Sequence, residues 1–143
     1  MPADLVGLLP AGRFSHTCDL VELDALAGKR CLILGGRQSA FEWAALLTEA
    51  GTAAVHVSHR HPSPVFTFSD WDWTTPLVEH MIGDPGWYRN LPEDERRAVD
   101  GRMWGEGRLK LEPWLEPRIS NDRVHLWPST QLAGATEQPD RSG

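Results

Sequence analysis

Two neighbouring stretches of the chain show different spacings of apolar residues. Residues 30–34, RCLIL, are continuously apolar after the arginine, which is typical of a parallel strand covered on both faces. From Gln38 the apolar residues recur at three- and four-residue steps until Gly51, a common stop signal, so we predict a helix. Residues 53–58, AAVHVS, are rich in valine and predict a second strand. Strand, glycine turn, helix and strand together form a β-α-β unit.

The rest of the chain is less regular. Residues 1–27 predict an irregular lead-in, and residues 61–76, with three prolines, predict an extended loop. A short helix is predicted at PLVEHMI and a longer one at Pro92, where acidic residues precede basic ones as the helix dipole favours. The segment LEPRISNDRVHLWPST predicts two short strands about a turn at Asn121 and Asp122, and residues 133–143 predict a disordered tail.

These elements predict an α/β fold. A Rossmann-like β-α-β core is followed by a Trp-rich helical excursion and a C-terminal β-hairpin, and all seven tryptophans follow Ala40. We place one domain at residues 28–132, between the lead-in of residues 1–27 and the tail of residues 133–143. A length of 143 residues, 41% of them hydrophobic, suits one such domain with a core of its own.

Charge and hydropathy narrow the class of protein. The formal net charge of −6 argues against a general nucleic-acid binder, because neutralising phosphates requires a basic face. No apolar run approaches the roughly 20 residues that span a bilayer. The two cysteines do not suggest a disulfide framework. We therefore predict a soluble, cytoplasmic protein with neither a nucleic-acid nor a membrane partner.

The turn between the first strand and the helix resembles a dinucleotide-binding fingerprint. The fingerprint G-x-G-x-x-[GA] has three fixed positions, which require glycine, glycine, and glycine or alanine. In this chain Gly35, Arg37 and Ala40 occupy them, so the second position departs from the pattern. The guanidinium of Arg37 can pair with phosphate oxygens, and the amides of a helix N-terminus favour an anion. We predict that five residues contact a pyrophosphate: Gly35, Gly36, Arg37, Gln38 and Ser39. The alternative is a plain strand-to-helix connection in which Arg37 is solvated.

The end of the second strand favours NADP(H) over NAD. An NAD site usually places a carboxylate about twenty residues beyond the turn, whereas a 2′-phosphate calls for a cation and small donors. The chain has Ser-His-Arg-His at residues 58–61 and no carboxylate between His56 and Ser69. We predict that Ser58 and Arg60 bind the 2′-phosphate of NADP(H), in an NAD(P)-binding domain at residues 28–132. The alternative is a solvated junction between strand and loop.

The stretches GKRCLILGGRQSAFEWAALL and VHVSHR resemble the NADP-binding region of flavin-dependent monooxygenases, the flavin-containing and Baeyer–Villiger group. That group carries a G-x-G-x-S-[GA] turn before a helix that begins near an acidic residue. Four residues of this chain match the pattern, and Arg37 departs from it. The four matching residues are Gly35, Ser39, Ala40 and Glu42.

A second motif of the same group lies upstream of its NADP strand. In LPAGRFSHTCDL, Gly12 and His16 keep the glycine-to-histidine spacing of that motif, whereas Pro10 and Leu20 occupy its aromatic positions. The resemblance covers residues 10–60 by motif.

The resemblance implies a flavin-binding domain before the NADP region, and the chain has no second G-x-G-x-x-G turn. Hydride transfer requires the nicotinamide held against an acceptor. We therefore expect an NADP(H)-binding domain or fragment of a flavin-dependent, monooxygenase-like oxidoreductase that binds without turnover. FAD would come only from a partner chain or a missing segment, and the expected partners are a flavin-binding chain or a homo-oligomer. The alternative is a non-catalytic protein-interaction module with exposed tryptophans.

Two other clusters of polar residues, one of histidines and one of aspartates, give weaker indications of function. His56 and His59 point to opposite faces of a strand, so we predict no metal site. Asp70 and Asp72 in SDWDWTT could bind a cation or perform acid-base work, and the alternative is that they form the polar side of an aromatic-lined loop. We assign no catalytic residue.

Overall fold

The structure, a computed structural model, describes residues 7, 9 and 12–136. Strand β1 (Arg30–Leu34), helix α1 (Gln38–Glu49) and strand β2 (Ala54–Ser58) follow one another in the chain. The two strands pair in parallel along their whole length. The prediction of an α/β fold with a Rossmann-like core is confirmed, and β1 and α1 begin where the apolar spacing indicated.

Helix α1 packs one face against the sheet. It ends at Glu49, and Gly51, two residues further on, has a φ of +83° in the left-handed region that favours glycine. The buried side of the helix forms the core together with valines of β2 and three residues from the second half of the chain. The fully or nearly buried apolar residues are Ala40, Phe41, Ala44, Ala45, Leu47, Val55, Val57, Leu111, Leu115 and Ile119.

The third strand of the sheet, β5 (Val124–Trp127), pairs in parallel with the other edge of β2. The sheet order is therefore β1-β2-β5, and the predicted C-terminal β-hairpin is wrong. The residues before the turn at Asn121 form a 3₁₀ turn (Pro113–Leu115) and a short helix, α5 (Glu116–Ile119). Both turns have a proline at their first positions, where its fixed φ suits a helix, and both bury an apolar side chain against α1.

A helical excursion separates β2 from β5. Its elements are β3 (Val65–Phe66), a 3₁₀ turn (Asp72–Thr74), α2 (Thr75–Gly83), α3 (Trp87–Asn90), α4 (Glu93–Arg108) and β4 (Lys110–Leu111). The helices predicted at PLVEHMI and Pro92 are present, and β3 pairs with β4 in parallel. Helices α2, α3 and α4 bury no residue completely. No described helix has the length and apolar character needed to cross a bilayer.

The described helices cover only one face of the three-stranded sheet. Cys31 and Ile33 of β1 point toward the core, whereas Leu32 and Leu34 are 51% and 37% exposed on the opposite side. The prediction that β1 is covered on both faces is therefore wrong. We call this side, which also carries the exposed Trp127, the open face of the sheet.

The predicted lead-in and tail lie partly outside the described residues, which omit residues 1–6, 8, 10–11 and 137–143. Within the described part of the lead-in, Asp24–Leu26 form a 3₁₀ turn.

Candidate functional site

The glycine turn lies where β1 meets α1. The amide of Gly35 donates a hydrogen bond to the carbonyl oxygen of Ser58 at 3.0 Å, so the turn is fixed to the end of β2. A Cβ added at Gly35 would make only an ordinary contact, 3.6 Å from the Cβ of Ala40. The φ of Gly35 is +157°, however, and residues with a side chain rarely adopt such a value.

Gly36 has a different reason to be glycine. An added Cβ would overlap the Cβ of His59, lie 2.5 Å from its Cγ and lie 2.8 Å from Nε2 of His61. The residue is buried, and the group that approaches its backbone closely is a histidine of the same chain. The absence of a side chain at Gly36 is therefore required for packing inside the protein.

His59 is a buried polar residue, 3% exposed, directly after β2. Its Nδ1 lies 2.9 Å from the carbonyl oxygen of His61, and because a carbonyl can only accept, Nδ1 carries the proton. Nε2 then presents a buried lone pair without a partner among the described residues. Burial lowers the pKa of His59, which favours the neutral ring. Sequence reasoning missed this contact, because nothing in the local pattern brings residue 59 to the turn.

Helix α1 begins without a side-chain cap. The N-cap residue Arg37 is extended, with φ −107° and ψ 179°, and its carbonyl accepts the amide of Ala40 at 2.9 Å. The backbone amides of Gln38 and Ser39 have no acceptor within the helix, because the first amides of every α-helix lack one. The positive end of the helix dipole and two free amide donors therefore face outward here.

A cavity of about 750 Å³ opens beside this helix end, between α1 and the second half of α4. We call it the α1–α4 cleft. Its size lies within the usual range for small-molecule sites. Its lining residues are Arg37, Gln38, Ser39, Glu42, Asp100, Met103, Trp104, Gly107 and Arg108. The side chain of Arg37 thus borders open space, and it does not fill the cleft.

The charged side chains that line the α1–α4 cleft differ in whether they have hydrogen-bond or salt-bridge partners within the protein. Glu42 accepts a hydrogen bond from Nε2 of Gln38 at 2.9 Å, and Asp100 accepts one from the hydroxyl of Tyr88. Both carboxylates therefore already have donors. Within the described part of the chain, Arg37 and Arg108 take part in no salt bridge or side-chain hydrogen bond. These two guanidinium groups are available to an anion.

The structure brings together only some of the predicted site residues. Arg37, Gln38 and Ser39 line one cleft, with Gly35 and Gly36 in the adjoining turn. The other two predicted residues lie elsewhere.

Ser58 does not line the α1–α4 cleft. Its hydroxyl is hydrogen-bonded to that of Thr130 at 2.8 Å, and both residues line a second cavity, of about 460 Å³, on the open face. Arg60 is exposed and is not among the residues that line either cavity.

The second cavity contains a histidine with a fixed tautomer. Nδ1 of His56 accepts a hydrogen bond from the indole Nε1 of Trp127 at 3.1 Å, and the rings of His56 and His125 stack with centroids 4.8 Å apart. Burial, followed by the charges of His125 and Arg30, lowers the pKa of His56. His56 faces the open side and His59 faces the core, as the strand period predicted. The described residues hold no group of three or more metal-ligating side chains.

Comparison with known proteins gives one partial match. Over 57 residues the chain is 42% identical to the FAD-dependent urate hydroxylase of Xanthomonas campestris pv. campestris. The match covers 40% of this chain and only 12% of that protein. No protein-family profile matches the chain, and no solved structure matches it. The matched stretch is similar to a flavin-dependent oxidoreductase, in agreement with the wider class that the motifs of the sequence indicated.

Proposed function

We propose that the α1–α4 cleft binds NADP(H), with the pyrophosphate at the first turn of α1. One observation carries the proposal: Arg37 and Arg108, one from each wall of the cleft, have no anionic partner among the described residues. A pyrophosphate would satisfy both guanidinium groups and the free amides of Gln38 and Ser39.

The proposal also concerns the flavin that NADPH would reduce. The chain forms the pyridine-nucleotide part of a flavin-dependent, monooxygenase-like oxidoreductase, and its likeness to part of a FAD-dependent urate hydroxylase supports this. Reduction of FAD by NADPH requires the two rings in contact, so the flavin would come from a partner chain or a further segment. The isolated chain with free FAD should bind NADPH and leave its absorbance at 340 nm unchanged.

The proposal is tested by titrating the chain with NADPH in a calorimeter. Arg37→Gln removes a charged contact to phosphate and should weaken NADPH binding about tenfold. The matched control is Arg97→Gln on α4, because Arg97 is paired with Glu93 at 2.6 Å and lies outside the cleft. Binding by the wild-type chain that Arg37→Gln leaves unchanged would contradict the pyrophosphate position.

The choice between the two dinucleotides depends on Arg60. Although it lies outside the cleft lining, it is exposed just beyond β2, where the sequence spacing places a 2′-phosphate. Arg60→Glu should weaken NADPH binding much more than NADH binding. Equal losses for the two cofactors would remove Arg60 from the site.

The open face of the sheet favours a second candidate function, a non-catalytic protein-interaction module. Leu32, Leu34 and Trp127 are between 37% and 51% exposed on this face, and contiguous apolar surface of this kind marks interaction sites. Sedimentation velocity over a range of concentrations would then show self-association that Leu34→Asp abolishes. Association of this kind, with no response of tryptophan emission to NADPH or NADH, would favour the module over the cofactor site.

A further inference from the structure

The α1–α4 cleft has one aromatic wall. Trp104 of α4 lines the cleft and is 43% exposed, and its indole N–H makes no hydrogen bond within the described residues. Two other half-exposed tryptophans have polar or charged partners: Trp114 lies under the guanidinium of Arg118, and Trp127 donates to His56. Trp104 therefore presents apolar ring surface to a cavity that is otherwise lined largely by polar side chains.

A series of ring contacts holds Trp104 in place. The His61 ring meets Trp104 edge to face, with centroids 6.0 Å apart at 89°. The His59 ring lies 4.7 Å from that of His61, and His59 packs on Gly36. The orientation of Trp104 is therefore connected to the glycine turn on the opposite wall of the cleft.

Arg108 follows Trp104 by four residues on α4, and residues four apart on a helix lie side by side. A flat ring in contact with Trp104 would thus have its attached phosphate near the guanidinium of Arg108. Such a contact is energetically favourable, because stacking removes apolar surface of both rings from water.

We propose that Trp104 is the stacking platform for a heteroaromatic ring of the bound nucleotide, with Arg108 beside it for the phosphate and His61 as the residue that positions the indole. This inference rests on the proposed function. It adds the recognition of the ring, which neither the glycine turn nor the helix end supplies.

The test compares Trp104→Ala and Trp104→Phe with the wild-type chain. Stacking on an aromatic side chain predicts that Trp104→Ala weakens NADPH binding about tenfold and that Trp104→Phe, which keeps a ring, weakens it about threefold or less. Trp114→Ala, a half-exposed tryptophan outside the cleft, is the matched control and should leave binding unchanged. Two smaller probes identify the ring: 2′,5′-ADP carries only the adenine, and nicotinamide mononucleotide only the nicotinamide. The sensitivity to Trp104→Ala should appear with one of them.

A double-mutant cycle tests the positioning role. His61→Ala should weaken NADPH binding in the wild-type background and have no further effect when Trp104 is already alanine. If Arg37→Gln weakens binding but Trp104→Ala does not, the stacking platform is wrong and the nucleotide site stands. If the wild-type chain binds none of the three ligands, the proposed function itself is overturned.

Discussion

At the scale of single residues, the contact between Gly36 and His59 determines the shape of the glycine turn. The fingerprint predicts a pyrophosphate at this turn, with Gly35 in the first glycine position and Arg37 in the second. The structure fills the space above Gly36 with an imidazole, and it leaves the space above Arg37 and Ser39 open. Packing and binding thus use neighbouring positions of the same turn.

Gly36→Ala should destabilise the fold by about 2 kcal/mol or more, because the new methyl group would overlap His59 in a closely packed region. The matched control is Gly101→Ala in α4, where an added Cβ meets no atom within 4 Å. That control should stabilise the protein by roughly 0.5–1 kcal/mol through helix propensity. Urea unfolding followed by circular dichroism measures both changes. Similar free energies of unfolding for the two variants would contradict the close packing of His59 on the turn.

Local spacing was enough to predict Arg37, Gln38 and Ser39 as neighbours, because they belong to one turn and one helix end. It was not enough to find Trp104 and Arg108, which line the cleft only because the fold places α4 across the cavity from the start of α1. No periodicity in α4 marks that contact, since the helix buries no residue completely.

At the scale of elements, α5 and the 3₁₀ turn before it complete the core. Leu115 is fully buried and Ile119 is 5% exposed, and both pack on the side of the sheet that α1 covers. The second half of the chain therefore supplies apolar residues that α1 needs as partners.

Leu115→Ala should lower the free energy of unfolding by about 2–4 kcal/mol, since it removes buried methyl groups and leaves a cavity. Leu20→Ala makes the same chemical change at a side chain that is 91% exposed, and it should alter stability by less than about 0.5 kcal/mol. Thermal unfolding at neutral pH distinguishes the two variants. Equal losses would show that α5 is not part of the cooperative core.

Elements were predicted well where a single period governs them. β1, α1, β2 and α4 each carry a clear apolar spacing or a terminal signal, and all four are present. The hairpin prediction failed because VHLW reads as a strand without indicating its partner. The partner is β2, which lies far away in the sequence. Short segments such as β3 and β4 carry only two residues each, too few for any period.

At the scale of the whole molecule, two histidines on opposite faces of the sheet make stability depend on pH. Burial lowers the pKa of both His56 and His59 in the folded chain. The unfolded chain protonates both at about 6.5, so between that value and the lower folded pKa it binds more protons. Stability that is present above about pH 6.5 should therefore be lost as the pH falls below it.

Urea unfolding at pH 7.5 and pH 5.5 should accordingly give a smaller free energy of unfolding at the lower pH. NMR titration of the imidazole ring protons identifies the groups responsible, and both His56 and His59 should titrate below the ordinary value for histidine. Titration of both rings at or above about 6.5 would contradict the burial that the structure gives them.

The parallel pairing of β5 with β2 also constrains how a nascent chain can assemble. β1, α1 and β2 leave the ribosome before β5, so the outer edge of β2 stays bare until Val124–Trp127 has been synthesised. Closing a loop that contains the whole excursion is entropically unfavourable and slows folding. Translation halted before Val124 would leave the backbone donors and acceptors of β2 exposed as a template for aggregation.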